Sequence, residues 1–152
     1  MRRGILVAFV LAFALIMTAC PKTPYGRAAA LGLDVTDAIH TGADAIDQLQ
    51  KNGTISKDDE KVALQYLDAL NSLDVDVYGP CVISAHKAGD KPAAFAGCAT
   101  GMADAISDPG LEAKFRIVNP ISQAKVRTIA QAVKSLIQTT ISGFGVAKPA
   151  TN

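Results

Sequence analysis

The sequence is poor in the side chains that most enzymes use for acid and base chemistry. Its 152 residues include no tryptophan, two histidines and two glutamates. It also lacks a Gly-x-Ser-x-Gly turn, a phosphate-binding glycine loop, a Glu-x-x-His pair and a Cys-x-x-Cys-His haem site. Because acid–base and nucleophilic catalysis need such groups in close proximity, we expect a protein without catalytic activity and without a bound cofactor.

Aromatic side chains are also scarce, with five phenylalanines and three tyrosines. Alanine, leucine, isoleucine and valine must therefore build most of the interior, which favours closely packed helices over a sheet rich in aromatic pairs. Apolar residues make up 49% of the chain and charged residues 19%, so a core can form and global disorder is excluded. The length predicts one compact domain.

The charge balance does not indicate a nucleic-acid-binding protein. The formal net charge is +1, from 15 basic and 14 acidic residues, and without Arg2 and Arg3 the basic count becomes 13. The distribution is uneven, because residues 109–152 carry six basic residues and one acidic residue, whereas residues 20–108 carry seven and thirteen. We therefore expect the two regions to satisfy each other's charges within the molecule.

The first nineteen residues have the pattern of a signal peptide. A short positive segment, Met1-Arg2-Arg3-Gly4, precedes an uncharged apolar run from Ile5 to Met17. This run is too short for a membrane-spanning helix, which needs about 20 apolar residues, and it matches the apolar region of an export signal. Residues 1–19 are therefore predicted to be removed on export.

The tetrapeptide Met17-Thr18-Ala19-Cys20 resembles the lipobox of bacterial lipoproteins, although Met17 stands where that family usually has leucine. The resemblance implies that Cys20 is diacylated, becomes the new N-terminus and is acylated again, and that residues 20–26 form a lipidated tether. Pro21, rather than aspartate, follows the cysteine, which in the family's sorting convention implies the outer membrane, facing the periplasm. The resemblance covers the signal alone.

The rest of the chain has the apolar periodicity of helices. The predicted fold class is all-α, an antiparallel bundle of about four helices, one of them broken at Gly79-Pro80, over residues 27–142. The tail, residues 143–152, is expected to fray. The predicted helical segments are 27–50, 56–77, 80–87, 92–107, 111–118 and 120–142.

Two packing predictions concern the middle of the chain. The helix over residues 56–77 carries apolar residues on one face, including Leu73 and Val77, and has Leu64 and Val75 on the other side, so we expect it to lie centrally in the bundle. The next long helix carries Ala93, Gly97 and Gly101 at spacings of four. We expect another helix to approach closely along this row.

Cys81 and Cys98 remain as a pair after acylation of Cys20, in a compartment that is oxidising. They flank the turn at Gly89, so an antiparallel hairpin could bring them together as a structural disulfide. Two buried free thiols are the alternative. A metal site would have only His86 nearby as a third ligand, and we interpret His86 as a structural residue near a helix end.

His40 shares one helix face with Asp37, Asp44 and Asp47. Such a face could bind a divalent cation, but a site in a bundle usually draws its ligands from several helices. We therefore interpret the cluster as a solvated acidic face and predict no metal site.

The last helix carries a neutral outer face, which we predict to be an interaction surface. It contains Thr128, Gln131, Ser135 and Thr139, with cations on its flanks. The predicted function is a lipid-anchored, non-catalytic interaction or structural module that binds another protein and no nucleic acid. A carrier or sensor for a small apolar ligand held between helices is the alternative, and a phage-encoded envelope lipoprotein would have the same features.

Overall fold

The computed structural model describes residues 22–145, which are helical with no strand among them. The predicted all-α class is therefore confirmed. Residues 1–21, with the predicted signal peptide and the predicted lipidation site Cys20, and residues 146–152 lie outside the described part. The elements are α1 (Pro24–Lys51), α2 (Lys57–Ser72), a π-helical segment (Leu73–Tyr78), α3 (Gly79–Lys87), α4 (Pro92–Ser107), α5 (Pro109–Phe115) and α6 (Pro120–Gly143).

Helix α1 begins inside the segment predicted to be a tether. The Thr23 side chain accepts a hydrogen bond from the Gly26 N–H at 3.0 Å, and Pro24 occupies the first turn. Threonine as the cap and proline at the first helical position form a helix start, so Pro24–Gly26 are helical rather than extended. The helix ends as predicted at Asn52-Gly53, where Gly53 has a φ of +71°.

Two further helix starts are confirmed and are joined to each other. Ser56 and Asp59 form a reciprocal capping box at the start of α2. Asn119 caps α6 by accepting from the N–H groups of Ile121 and Ser122. The Asn119 side-chain amide also donates to the Asp59 carboxylate at 3.1 Å, so the N-terminal ends of α2 and α6 lie side by side.

The interruption predicted at Gly79-Pro80 takes the form of a π-helical segment. The chain stays helical from Lys57 to Lys87. The Gly79 N–H donates to the carbonyl of Asp74, five residues back. In an α-helix Pro80 would leave the carbonyl four residues earlier, that of Asp76, without its donor and would clash with it. A wider π turn makes room for the proline ring without ending the helix.

The π turn changes which side chains face the core. We predicted Leu73 and Val77 on the buried face, but Val77 is exposed and Leu73 only partly buried. Asp74 and Tyr78 are buried instead. Because a π turn contains more residues than the 3.6 of an α-helix, a spacing of four keeps Leu70, Asp74 and Tyr78 on one side.

Helices α1 and α6 make the most extensive contact in the fold, and α6 also packs against α2 and α4. Val75, which suggested a second covered side for the helix over residues 56–77, is exposed, whereas Leu64 is partly buried against the core. Because residues 57–78 contact α1, α4 and α6, the central position of this helix stays a prediction. Helices α6 and α1 approach each other closely at Gly42, which faces Ile129. The largest fully buried side chains are Tyr78, Phe95, Leu31, Ile46, Leu67, Leu70, Met102, Ile137, Val35, Val126, Val133 and Ser122.

The small-residue row of α4 is not a packing surface within the fold. Ala93, Gly97 and Gly101 are exposed, and a Cβ added to either glycine would meet nothing within 4 Å. The prediction of a helix packed along this row is therefore wrong. The opposite face of α4, with Phe95 and Met102, meets the core instead, because its side chains are large enough to bury apolar area.

Phe144 belongs to the core, although it lies in the segment expected to fray. Its ring is buried and stacks on Phe95, with 6.1 Å between ring centroids. At the same end of the bundle, the Arg27 guanidinium donates to the Gly143 carbonyl at the C-terminus of α6, where a cation is favoured by the helix dipole. The first and last helices are thus joined at this end.

The predicted cysteine pair lies at bonding distance. The Sγ atoms of Cys81 in α3 and Cys98 in α4 are 1.97 Å apart and their Cα atoms are 5.7 Å apart. The cross-link closes a loop with a sequence separation of 17 residues, for which chain entropy predicts a stabilisation of about 3 kcal/mol. It holds α3 against α4 just beyond the π segment.

Two helix glycines should respond in opposite directions to the same substitution. A Cβ at Gly42 would lie 2.6 Å from Cδ1, 2.9 Å from Cγ1 and 3.2 Å from Cγ2 of Ile129, so rotation of that side chain cannot relieve the overlap. We expect Gly42→Ala to lower the free energy of unfolding by about 1–3 kcal/mol. Gly97→Ala should raise it by about 0.5–1 kcal/mol, because alanine favours an exposed helix position.

Urea denaturation of both variants checks this prediction, and Ile129→Val provides a further control. Removing Cδ1 should recover part of the stability lost in Gly42→Ala. Equal effects of the alanine at positions 42 and 97 would contradict the close approach of α1 and α6.

Candidate functional site

A groove runs between the first half of α1 and the π segment with α3. It has a volume of ≈ 300 Å³. We call it the Asp74 groove. Its lining residues are Tyr25, Ala28, Ala29, Gly32, Leu33, Thr36, Asp74, Val75, Tyr78, Gly79, Val82 and Ile83. Asp74 is the one charged residue in this set, so the surface is apolar with a single carboxyl group.

The rim of the groove consists of large apolar side chains that point into solvent. Leu33 is 70% exposed, Val75 58% and Ile83 51%. They come from three separate elements, α1, the π segment and α3, and converge on the same groove. Single exposed apolar residues are ordinary on protein surfaces, but a cluster around one concavity is typical of an interaction site.

Asp74 forms the polar part of the groove and is only 6% exposed. Thr36 of α1 donates its hydroxyl to Oδ2 at 3.0 Å. On the other side, Gly32 leaves Oδ1 uncovered by a side chain, since a Cβ there would lie 3.4 Å from that oxygen. Burial raises the pKa of Asp74, and the Thr36 hydrogen bond lowers it in part.

Tyr78 fixes the position of the π segment against α1. Its buried hydroxyl donates a hydrogen bond to the Ala28 carbonyl at 2.9 Å. This bond is additional to the backbone hydrogen bonds within α1. Burial, and then the nearby Asp74 carboxylate, raise the pKa of Tyr78. The phenol therefore stays protonated and keeps its role as a donor. Together with Thr36 and Asp74, it ties the two walls of the groove at two points.

Tyr25 closes one end of the groove and connects it to the end of α3. Its ring stacks on His86, with 4.1 Å between centroids, and the His86 Nδ1 lies 2.7 Å from Oδ1 of Asp90. The Nδ1 atom and one ring face of His86 thus have neighbours within the fold, Asp90 and Tyr25. This agrees with its interpretation as a residue near a helix end.

The predicted interaction face of α6 is exposed, but two of its four side chains already form hydrogen bonds to their own helix. Thr128, Gln131, Ser135 and Thr139 all lie on the outer side of the helix. The hydroxyls of Thr128 and Thr139 donate to carbonyls of their own helix, at 2.9 Å in each case. The four named side chains include no large apolar anchor, although Ile121, two turns before Thr128 on the same side of α6, is 46% exposed. The role of this face stays a prediction.

The acidic face of α1 forms one ion pair with a cation of the same helix. Asp47 pairs with Lys51 of the same helix at 2.5 Å rather than with a cation of α6. Asp37 and Lys125 line a common cleft between α1 and α6. Charge pairing between these two helices therefore stays a prediction at this cleft. Within residues 22–145, no group of three or more histidine, cysteine, aspartate or glutamate side chains is placed to hold a metal ion.

Sequence reasoning missed the Asp74 groove because it assumed an uninterrupted α-helical register. Asp74 lies four residues after Leu70 and four before Tyr78, with Pro80 close behind. A spacing of four is also the ordinary repeat of an α-helix face, so Pro80 is the available signal of a changed helical register.

Comparison of the chain with protein-family models, with curated proteins and with solved structures gave no match.

The buried carboxyl should cost stability at neutral pH. Because its pKa is raised in the folded state, that state holds the proton more tightly than the unfolded chain, so stability falls as the pH rises through the folded pKa. We expect Asp74→Asn, which keeps an acceptor for Thr36, to raise the free energy of unfolding at pH 7 by about 1 kcal/mol.

Urea titrations at pH 7 and pH 3.5 measure this effect, with Asp76→Asn as the matched control, because Asp76 is exposed in the same segment. The gain from Asp74→Asn should shrink at the lower pH, and the control should change little at either. A loss of stability at pH 7 would show that the carboxylate holds the fold together.

Proposed function

We propose that this protein is a lipid-anchored, non-catalytic interaction module on the periplasmic side of a bacterial envelope membrane, and that it binds another protein through the Asp74 groove. The observation that carries the proposal is the convergence of three exposed apolar side chains, Leu33, Val75 and Ile83, around one concavity. Interfaces draw most of their affinity from a few large side chains that become buried at their centre.

The proposed anchor would hold this groove near the membrane. Cys20 precedes the first residue of α1, Pro24, by four positions, and four extended residues reach at most about 14 Å. The groove begins at Tyr25 and follows the next turns of α1 up to Thr36. A partner in this groove would therefore also lie close to the bilayer.

Within residues 22–145, none of the helices combines the length and the apolar character needed to cross a bilayer.

The shape of the groove favours a protein over the alternative of a small apolar ligand. Sites for small ligands enclose most of the ligand, whereas here the apolar side chains stand on an open rim. A carboxyl in the floor would also be left without a partner by a purely apolar molecule. A partner surface that spans the rim can contact Leu33, Val75 and Ile83 at the same time.

The lipid anchor is tested by acyl labelling in cells. We expect radiolabelled palmitate to enter the wild-type chain and not Cys20→Ser, because the lipobox resemblance places both the thioether and the amide lipid on that residue. Cys81→Ser with Cys98→Ser serves as the control for other cysteines and should label like wild type. Equal labelling of wild type and Cys20→Ser would contradict lipidation at Cys20.

Protein binding is tested by site-specific photocrosslinking in intact cells. A photoreactive residue at Val75 or Ile83 should give a discrete crosslinked protein, and one at Gln131, on the outer face of α6, should not. Leu33→Asp should abolish the crosslink from Ile83, since it removes an apolar contact on the opposite wall. Crosslinks from Gln131 with none from the groove would assign binding to α6 instead.

A further inference from the structure

The charge of the Asp74 groove defines the chemistry of its partner. We propose that the groove binds a helical protein segment that presents one lysine or arginine, flanked by apolar side chains, to the Asp74 carboxylate. This inference rests on the proposed protein-binding function and adds to it the identity of the contacting group. It follows from the single hydrogen bond that Asp74 accepts and from the lack of a paired cation within residues 22–145.

The fold leaves the carboxylate incompletely satisfied. Within residues 22–145, its hydrogen bond from Thr36 is the only one found, and no lysine, arginine or histidine pairs with it. A buried carboxylate is usually paired with a cation or accepts several N–H bonds. The missing partner of Asp74 is therefore a donor with a positive charge, and Oδ1, which lies beside Gly32, is the oxygen that the Thr36 hydrogen bond does not use.

A partner that covers the rim must also seal this carboxylate from water. Contact with Leu33, Val75 and Ile83 removes the solvent that still reaches the groove. An apolar or acidic partner would then leave an unpaired charge in a low-dielectric site, which is strongly unfavourable. A cation gains both the Coulomb attraction, which is strengthened by desolvation, and a charge-assisted hydrogen bond.

An apolar rim on two opposite walls suits a helix that lies along the groove. Its side chains come from α1 on one wall and from the π segment and α3 on the other, so an amphipathic helix between them would contact both walls. Apolar residues three or four positions from the lysine or arginine would meet the rim, because those positions share a helix face. The long aliphatic stem of either cation would pack on the apolar walls while its charged end reaches the floor.

Two matched helical peptides test the inference on the full-length protein in phosphatidylcholine nanodiscs. One is a stapled alanine–leucine helix with a single central lysine, and its twin has norleucine there, which keeps the carbon chain and removes the charge. Fluorescence anisotropy gives both dissociation constants, with empty nanodiscs as background. We expect the lysine peptide to bind at least about tenfold more tightly than its twin.

The variants assign this preference to one side chain. Asp74→Asn should reduce the lysine preference to about one, while Asp76→Asn, a charge removed from the exposed side of the same segment, should leave it near the wild-type value. The preference should also fall with added salt, although less than for an exposed pair. Since Asp74→Asn is expected to be at least as stable as wild type, unfolding would not explain the loss.

Three outcomes would overturn the inference. They are equal binding of the two peptides, no binding of the lysine peptide, and a lysine preference that persists in Asp74→Asn. If short-chain phosphatidylethanolamine binds in an Asp74-dependent way and the lysine peptide does not, the groove recognises a lipid ammonium group instead. The photocrosslinks from Val75 and Ile83 are read separately, so protein binding can hold while the proposed cation contact fails.

Discussion

Pro80 has no backbone N–H, and the helix that contains it accommodates this by a π turn over Leu73–Tyr78. The turn rotates Asp74 and Tyr78 toward α1. There Thr36 donates a hydrogen bond to Asp74, and the Ala28 carbonyl accepts one from Tyr78. The same rotation turns Val75 and Val77 outward. One wall of the groove, its carboxyl floor and part of its apolar rim thus depend on one missing hydrogen-bond donor.

The groove combines two features that a core selected for stability alone would avoid. A carboxyl group is buried with a single hydrogen bond, and large apolar side chains stand in water around it. The rest of the molecule follows the usual rules, with capped helices and an aliphatic interior. Stability given up at one place in an otherwise regular fold is what a binding surface requires.

Most of the helices could be predicted from the sequence because their signals are local. The capping box at Ser56, the Asn119-Pro120 start and the apolar stripe of α6 each specify an element without knowledge of its neighbours. The groove could not be predicted in this way, because the inward position of Asp74 depends on a change of helical register. Nor could the burial of Phe144, since its contact with Phe95 is formed between residues far apart in the sequence.

The pairing of α1 with α6 brings together residues as distant as Arg27 and Gly143. Until the last helix has been synthesised, α1 lacks Ile129 and its neighbours, which pack against it at Gly42, so an incomplete chain cannot close its core. Folds with such long-range closure form late, after the intervening chain has been made. In the export that we propose, this delay would keep the polypeptide extended enough to pass through a secretion channel.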